Sequence, residues 1–167
     1  MMFGIEQARK ELFQYISHLS DQQALTKPNQ EDWSIIDSLE HLYVIEKLMT
    51  DEINLILKKN ERKVAYQKPL HSTVDRSKKY KAPENMKPKH ELTSLAEAKE
   101  KLTASRRSLL ETLNGYDFSD FKANSGKHPA FGTINVEQWI EFIGLHELRH
   151  LEQIKEIVKG HKKSANL

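Results

Sequence analysis

The chain has 167 residues, 38% of them hydrophobic and 30% charged, with 26 Lys/Arg against 24 Asp/Glu for a formal net charge of +2; this size and apolar content suit one compact domain with a buried core. There is no cysteine, which excludes disulfides, thiolate metal sites and a cysteine nucleophile, so any transition-metal site must be built from histidine and carboxylate. The N-terminal MMFGIEQARKELF lacks a basic stretch followed by an apolar one, and no run approaches the ~20 apolar residues of a membrane span, so a soluble, cytoplasmic protein without a membrane partner is expected.

Ile5, Ala8, Leu12, Ile16 and Leu19 recur at spacings of three and four, which predicts a first amphipathic helix over 5–19. A second is expected after Trp33. Ser34 with Asp37 forms a capping-box pattern, and Ile35, Leu39, Leu42, Ile45, Met49, Ile53 and Ile56 make one apolar stripe to about residue 59. Residues 58–90 hold eleven Lys/Arg against three Asp/Glu, a local excess of +8 that leaves −6 on the rest of the chain. The lysines are interleaved with Tyr66 and Tyr80, a pattern a nucleic-acid strand can use. A Lys- and Pro-containing segment without apolar periodicity is more commonly a solvated connection, so no nucleic-acid partner is expected.

The third helix opens at Ser94-Leu-Ala-Glu97, carries Leu95, Ala98, Leu102, Leu109 and Leu113, and stops at Gly115. The connection before it, about 60–93, is broken by Pro69, Pro83 and Pro88. A helix of about 26 residues is roughly 39 Å long, and roughly 12 extended residues would run back along it. The segment is long enough for that, and such length is wasteful in a tight hairpin, so the second and third helices are expected to run parallel, joined by a surface crossover. Residues 115–134 read as an irregular connection ending in HPAFGT, and no segment shows strand alternation. The fourth helix is predicted from Asn135, with Gln138 completing a box, to Gly160. The expected fold is all-α: a four-helix bundle over residues 1–160, with 161–167 as a short polar C-terminal tail.

Within the fourth helix His146-Glu-Leu-Arg-His150 matches H-E-x-x-H, the pattern in which two imidazoles one turn apart share a face with a glutamate between them. A protease of that kind needs a third ligand further on. The extended form requires a glycine and a histidine where this chain has Gln153 and Glu156, only 17 residues follow His150, and no strand is available to hold a substrate. Glu147 points about 100° away from His146 around the helix and reads as a surface or supporting group.

His146 and His150 continue the stripe of Val136, Ile140, Ile143, Ile154 and Ile157, so both face the interior, where an unpartnered polar group costs about 1–3 kcal/mol. His41, beside Leu42 and Ile45 early in the second helix, can supply a third nitrogen if the two helices pack at matching levels. A lone histidine such as His41 is ordinarily a packed or capping residue; the pair one turn apart is harder to satisfy without a shared cation. His18, His71, His90 and His161 read as surface residues. His128 lies in a turn near the mouth of the site and reads as an exposed loop residue.

Two stretches carry a family resemblance, WSIIDSLEHL at 33–42 and HPAFGTINVEQWIEFIGLHELRHLEQI at 128–154. The chain resembles the DinB-like (DinB/YfiT-type) superfamily of metal-binding four-helix bundles, and the resemblance runs nearly the whole length in helix order. It implies an up-down-down-up order and a divalent metal held by His41, His146 and His150, with Arg149 fitting the H-x-x-R-H form. It also implies a metal-dependent thiol transferase of the bacillithiol type, or a related hydrolase, acting on a small molecule. Zinc or nickel is the expected ion, with a low-molecular-weight thiol as a candidate cosubstrate and a homodimer compatible with such bundles. The competing expectation is a non-catalytic helical bundle that binds a partner or dimerises, its metal structural or absent.

Overall fold

A computed structural model describes residues 4–166. Four long helices carry the architecture: α1 (Ile5–Ile16), α3 (Ile35–Lys59), α4 (Leu95–Leu113) and α6 (Val136–Ala165). Two short helices, α2 (Asp21–Leu25) and α5 (Phe118–Ala123), fill connections. Local chemistry fixes the starts. Ser34 accepts the Asp37 amide while the Asp37 carboxylate accepts the Ser34 amide, the reciprocal box expected from the sequence. The other two boxes form only in half. Ser94 caps Glu97, whose carboxylate turns to Thr93 instead, and Asn135 caps Gln138, whose amide spans the backbone of Lys68.

The core has two layers along the bundle axis. One gathers Ile5, residues Ile45 to Leu57 of α3, Leu109 and Leu113 of α4, and Val136 to Ile143 of α6. The other gathers Leu12 and Ile16, Ile35 to Leu42, Leu95 to Leu102, and Leu151 to Val158. The starts of α3 and α4 therefore share one end, the starts of α1 and α6 the other. Thus α3 and α4 run parallel, joined by the crossover 60–94, while α1 and α6 run against them.

Three boundaries differ from expectation. The first helix ends at Ile16, because residues 17–20 turn and Ser20 caps α2 with a box completed by Gln23. The last helix runs through Gly160 to Ala165, so most of the predicted tail is helical. A glycine inside a helix costs only about 1 kcal/mol, which does not stop a 30-residue helix that is packed on both core layers. Finally, the segment read as irregular holds an antiparallel hairpin, β1 (Ser125–His128) with β2 (Gly132–Asn135), His128 opposite Gly132. Four-residue strands are too short to show alternation. Gly132 supplies the turn with φ 68°, a conformation costly for other residues.

Candidate metal centre

His41 projects from the second turn of α3, and His146 and His150 from the middle of α6. The Nε2 of His146 lies 3.3 Å from that of His41 and 3.1 Å from that of His150, and donor nitrogens of all three fall within 4.8 Å of one another. Nitrogens at about 2.0–2.1 Å from a tetrahedral ion stand roughly 3.3–3.4 Å apart, which is close to the spacing of the two His146 pairs.

Proton positions support the same fit. His41 Nδ1 is 2.5 Å from the Met86 carbonyl oxygen, which can only accept, and His150 Nδ1 is 2.7 Å from Gln153 Oε1. Both rings thus carry their proton on Nδ1 and turn an Nε2 lone pair inward. His146 has at most one proton to offer two facing nitrogens, so at least one inward lone pair is left without a donor. A shared divalent cation would satisfy the inward lone pairs together.

Burial keeps the cluster neutral. It is the largest influence on all three rings: it lowers His41 against the opposing pull of the Met86 carbonyl, drives His146 well below the usual histidine range with help from His150 and His41, and brings His150 down to about 3. The three rings are therefore neutral in the folded state at neutral pH, with no proton to lose before a cation could bind. Burial also lowers His128 to about 4. Each of these groups titrates lower when folded than its ordinary value of 6.5, so the unfolded chain binds protons that the folded one refuses. Chelator-treated protein is expected to lose stability as pH falls below about 6.5, by about 2 kcal/mol for each of His150 and His128 at pH 5. Thermal melts from pH 7 to pH 5 measure this, and a flat midpoint would contradict it.

The crossover builds the wall around the cluster. The buried Glu40 carboxylate accepts the amides of His90 and Glu91 at 2.9 and 3.1 Å, and Asp37 Oδ1 pairs with His90 Nδ1 at 2.7 Å. These contacts clamp the end of the crossover to the start of α3 and set the Met86 carbonyl against His41. Arg149 holds the other part, donating to the carbonyls of Thr73, Asp75 and Lys78 with Tyr80 against its guanidinium. The arginine between the two clustered histidines of α6 is thus a tether for the crossover. Trp33 packs on His41 at 4.8 Å between centroids and Phe142 stacks on His146 at 5.4 Å, giving the cluster aromatic flanks.

Two sequence readings are corrected here. His128 is not an exposed loop residue: it is 2% exposed, its Nδ1 accepts the Ala130 amide, and its ring sits edge-on to Phe142 (4.4 Å) and Trp139 (4.8 Å). The hairpin folds it under α6, one aromatic ring from His146. The aromatic content of Phe131, Trp139 and Phe142 around it was the available signal. Glu147 is not a surface group: it is 2% exposed and belongs to a buried quartet. Arg9 Nε meets its Oε1 at 2.5 Å and Arg106 Nη2 its Oε2 at 2.8 Å; Glu46 completes the square, bonding Arg9 Nη2 at 2.8 Å and Arg106 Nε at 2.5 Å, with the Ser105 hydroxyl donating to it as well. Burial pushes the Glu46 carboxyl up, but the two guanidiniums and Ser105 outweigh it and hold the group below its usual range. With both oxygens bound to guanidiniums, Glu147 is not free to act as a general base, which removes the last support for the H-E-x-x-H protease reading.

Of the remaining histidines, His18, His71 and His90 are exposed and His161 is half-buried, and none joins the cluster. A groove of about 610 Å³ between α1 and α4 is lined by Arg9, Phe13, Arg106 and Leu110 among others and by none of the three histidines, so it lies apart from the cluster. No helix among the described residues is long and apolar enough to cross a membrane.

Comparison with known proteins bears on the family and the fold. The model of the DinB superfamily matches residues 5–154. The chain is 36% identical over 151 residues to the uncharacterized protein YuaE of Bacillus subtilis (strain 168), spanning 90% of this chain and 93% of that one. Among solved structures it is similar to TT2238, described as a four-helix bundle protein, with TM-score 0.59 and 20% identity over 91% of this chain and 93% of the other. It is also similar to YfiT from Bacillus subtilis, described as a probable metal-dependent hydrolase with an unusual four-helix bundle topology, with TM-score 0.63 and 16% identity over 93% and 82% of the two chains. At these identities the two structures speak to the fold.

Proposed function

Because this chain belongs to the DinB superfamily, we propose that His41, His146 and His150 hold one divalent cation and that the protein is a metal-dependent enzyme acting on a small molecule, by hydrolysis or by transfer of a low-molecular-weight thiol. The observation that carries the reading is the convergence of three Nε2 atoms, 3.1 and 3.3 Å apart in the two closest pairs, with two of the rings locked by outer hydrogen bonds. A cation among three neutral imidazoles keeps its full charge and lowers the pKa of a water or thiol that it binds, which supplies a nucleophile near neutral pH.

The protein's own side chains do the rest. The Met86 carbonyl and Gln153 orient two ligands and increase their basicity by accepting hydrogen bonds from their Nδ1–H groups. Trp33 and Phe142 restrict water at the flanks and give an apolar surface for the body of a substrate. The description of YfiT as a probable metal-dependent hydrolase supports the hydrolytic branch.

The test is incubation of zinc- and nickel-loaded protein with a panel of esters and amides, and separately with electrophiles plus bacillithiol-type thiols, with products identified by mass spectrometry. Turnover that disappears on chelation and returns with metal is the expected result. Stoichiometric metal binding with no product from any pairing would favour a structural ion.

A further inference from the structure

The three rings of the cluster are not equally anchored. His41 and His150 each have an Nδ1 partner, whereas His146 faces both of them through Nε2 and no described residue bonds its Nδ1. Next to His146 lies a cavity of about 10 Å³ bounded by its ring, by Arg9, Glu46 and Glu147 of the buried quartet, and by three aliphatic side chains. That is roughly the space of one water molecule, and a buried water needs about two to four polar partners. An apolar hole of this size stays dry. This one counts Glu46, Glu147, Arg9 and His146 among its lining residues.

Resting on the reading of the three histidines as cation ligands, we propose that the cavity holds a single water that accepts the His146 Nδ1 proton and donates to the carboxylates of Glu46 and Glu147. The quartet is then a positioning element of the metal centre, reaching it through His146. The carboxylates have capacity for this, since each oxygen accepts through two lone pairs and the guanidiniums leave some unused. The water fixes His146 in the Nδ1-protonated tautomer and leaves its Nε2 lone pair for the ion, as Met86 and Gln153 do for the other two rings. Arg9, Glu46, Arg106 and Glu147 come one from each long helix, so the whole waist of the bundle sets the angle of one ligand.

The experiment uses full-length wild type, Glu46→Gln, and Glu152→Gln as an exposed control, each titrated with zinc alone at pH 7 in competition with a chromophoric chelator. In parallel, the histidine rings of the zinc-loaded wild type are observed by long-range proton–nitrogen correlation and water-exchange spectroscopy. The expected result is a His146 ring protonated at Nδ1, in contact with one long-lived water, and zinc affinity lowered roughly 10- to 100-fold by Glu46→Gln but unchanged by Glu152→Gln. The inference is overturned, with the three-histidine reading intact, if His146 carries its proton on Nε2, if its Nδ1 proton exchanges as freely as that of exposed His18, or if folded Glu46→Gln binds zinc like wild type. Failure of the wild type to take up zinc overturns both. Should Glu46→Gln not fold, the wild-type spectrum decides on the same criteria.

Discussion

His41→Ala protein is expected to remain helical and to lose metal affinity by more than the roughly 10- to 100-fold that follows loss of a group that only orients a ligand. The helix tolerates the change because alanine is the best helix former and the α3 core residues on either side, Leu39, Leu42 and Ile45, keep their partners in the two layers. The site does not tolerate it, because His146 and His150 alone present two nitrogens from one rigid helix. Dialysed protein analysed for bound metal, beside its circular dichroism, makes the comparison. One full equivalent of metal on a folded His41→Ala protein would reject the assignment. His128→Ala provides the contrast: its Nδ1 is committed to the Ala130 amide, outside the cluster, so metal content should hold while the hairpin loosens.

The largest effect on stability is expected from Glu147→Ala. The change leaves Arg9 Nε and Arg106 Nη2 facing an acceptor that no longer exists, and a square of two positive and two negative groups becomes net positive in the bundle waist. Breaking one member of a buried, hydrogen-bonded ion network typically costs about 3–5 kcal/mol, because the partner charge stays desolvated. For a chain of this size that corresponds to a fall of about 10 °C in Tm. Denaturation in the presence of chelator isolates this from any loss of metal. The exposed pair of Lys155 with Glu152 serves as the reference, and Glu152→Ala should cost less than about 1 kcal/mol. A Glu147→Ala penalty as small as that of Glu152→Ala would mean that the quartet carries no net stabilisation.

The four long helices were legible because each shows a continuous stripe at helical spacing, and three of them have a capping residue at the start. The three clustered histidines were legible for the same reason: His146 and His150 sit on the apolar stripe of α6, and His41 beside that of α3. The quartet was not read, although it left a trace. Arg9 falls between Ala8 and Leu12, Glu46 beside Ile45, and Arg106 between Leu102 and Leu109, all core-facing registers occupied by charge. Two bases and two acids at such positions on separate helices sum to zero, which is the pattern of mutual neutralisation. Angular distance from His146 leaves Glu147 open to either a surface or a supporting place. In fact α6 is covered on several sides, by α1, α3, the crossover and the hairpin. Met86 could not be assigned a role from sequence, since a backbone carbonyl carries no side-chain signature and its direction depends on how the crossover is clamped by Glu40 and Asp37.

His41 and His146 are separated by 105 positions along the chain. In a protein without cysteine, an ion gripped by both would act as a mechanical staple as well as a reagent. Chain-entropy arguments for cross-links that close loops of about 100 residues give about 4–5 kcal/mol, comparable to the whole margin by which a small protein stays folded. On the proposed reading, survival and turnover therefore draw on the same atom. Scarcity of that ion would not merely idle the molecule but expose it to proteolysis, so that its abundance in a cell would follow metal supply.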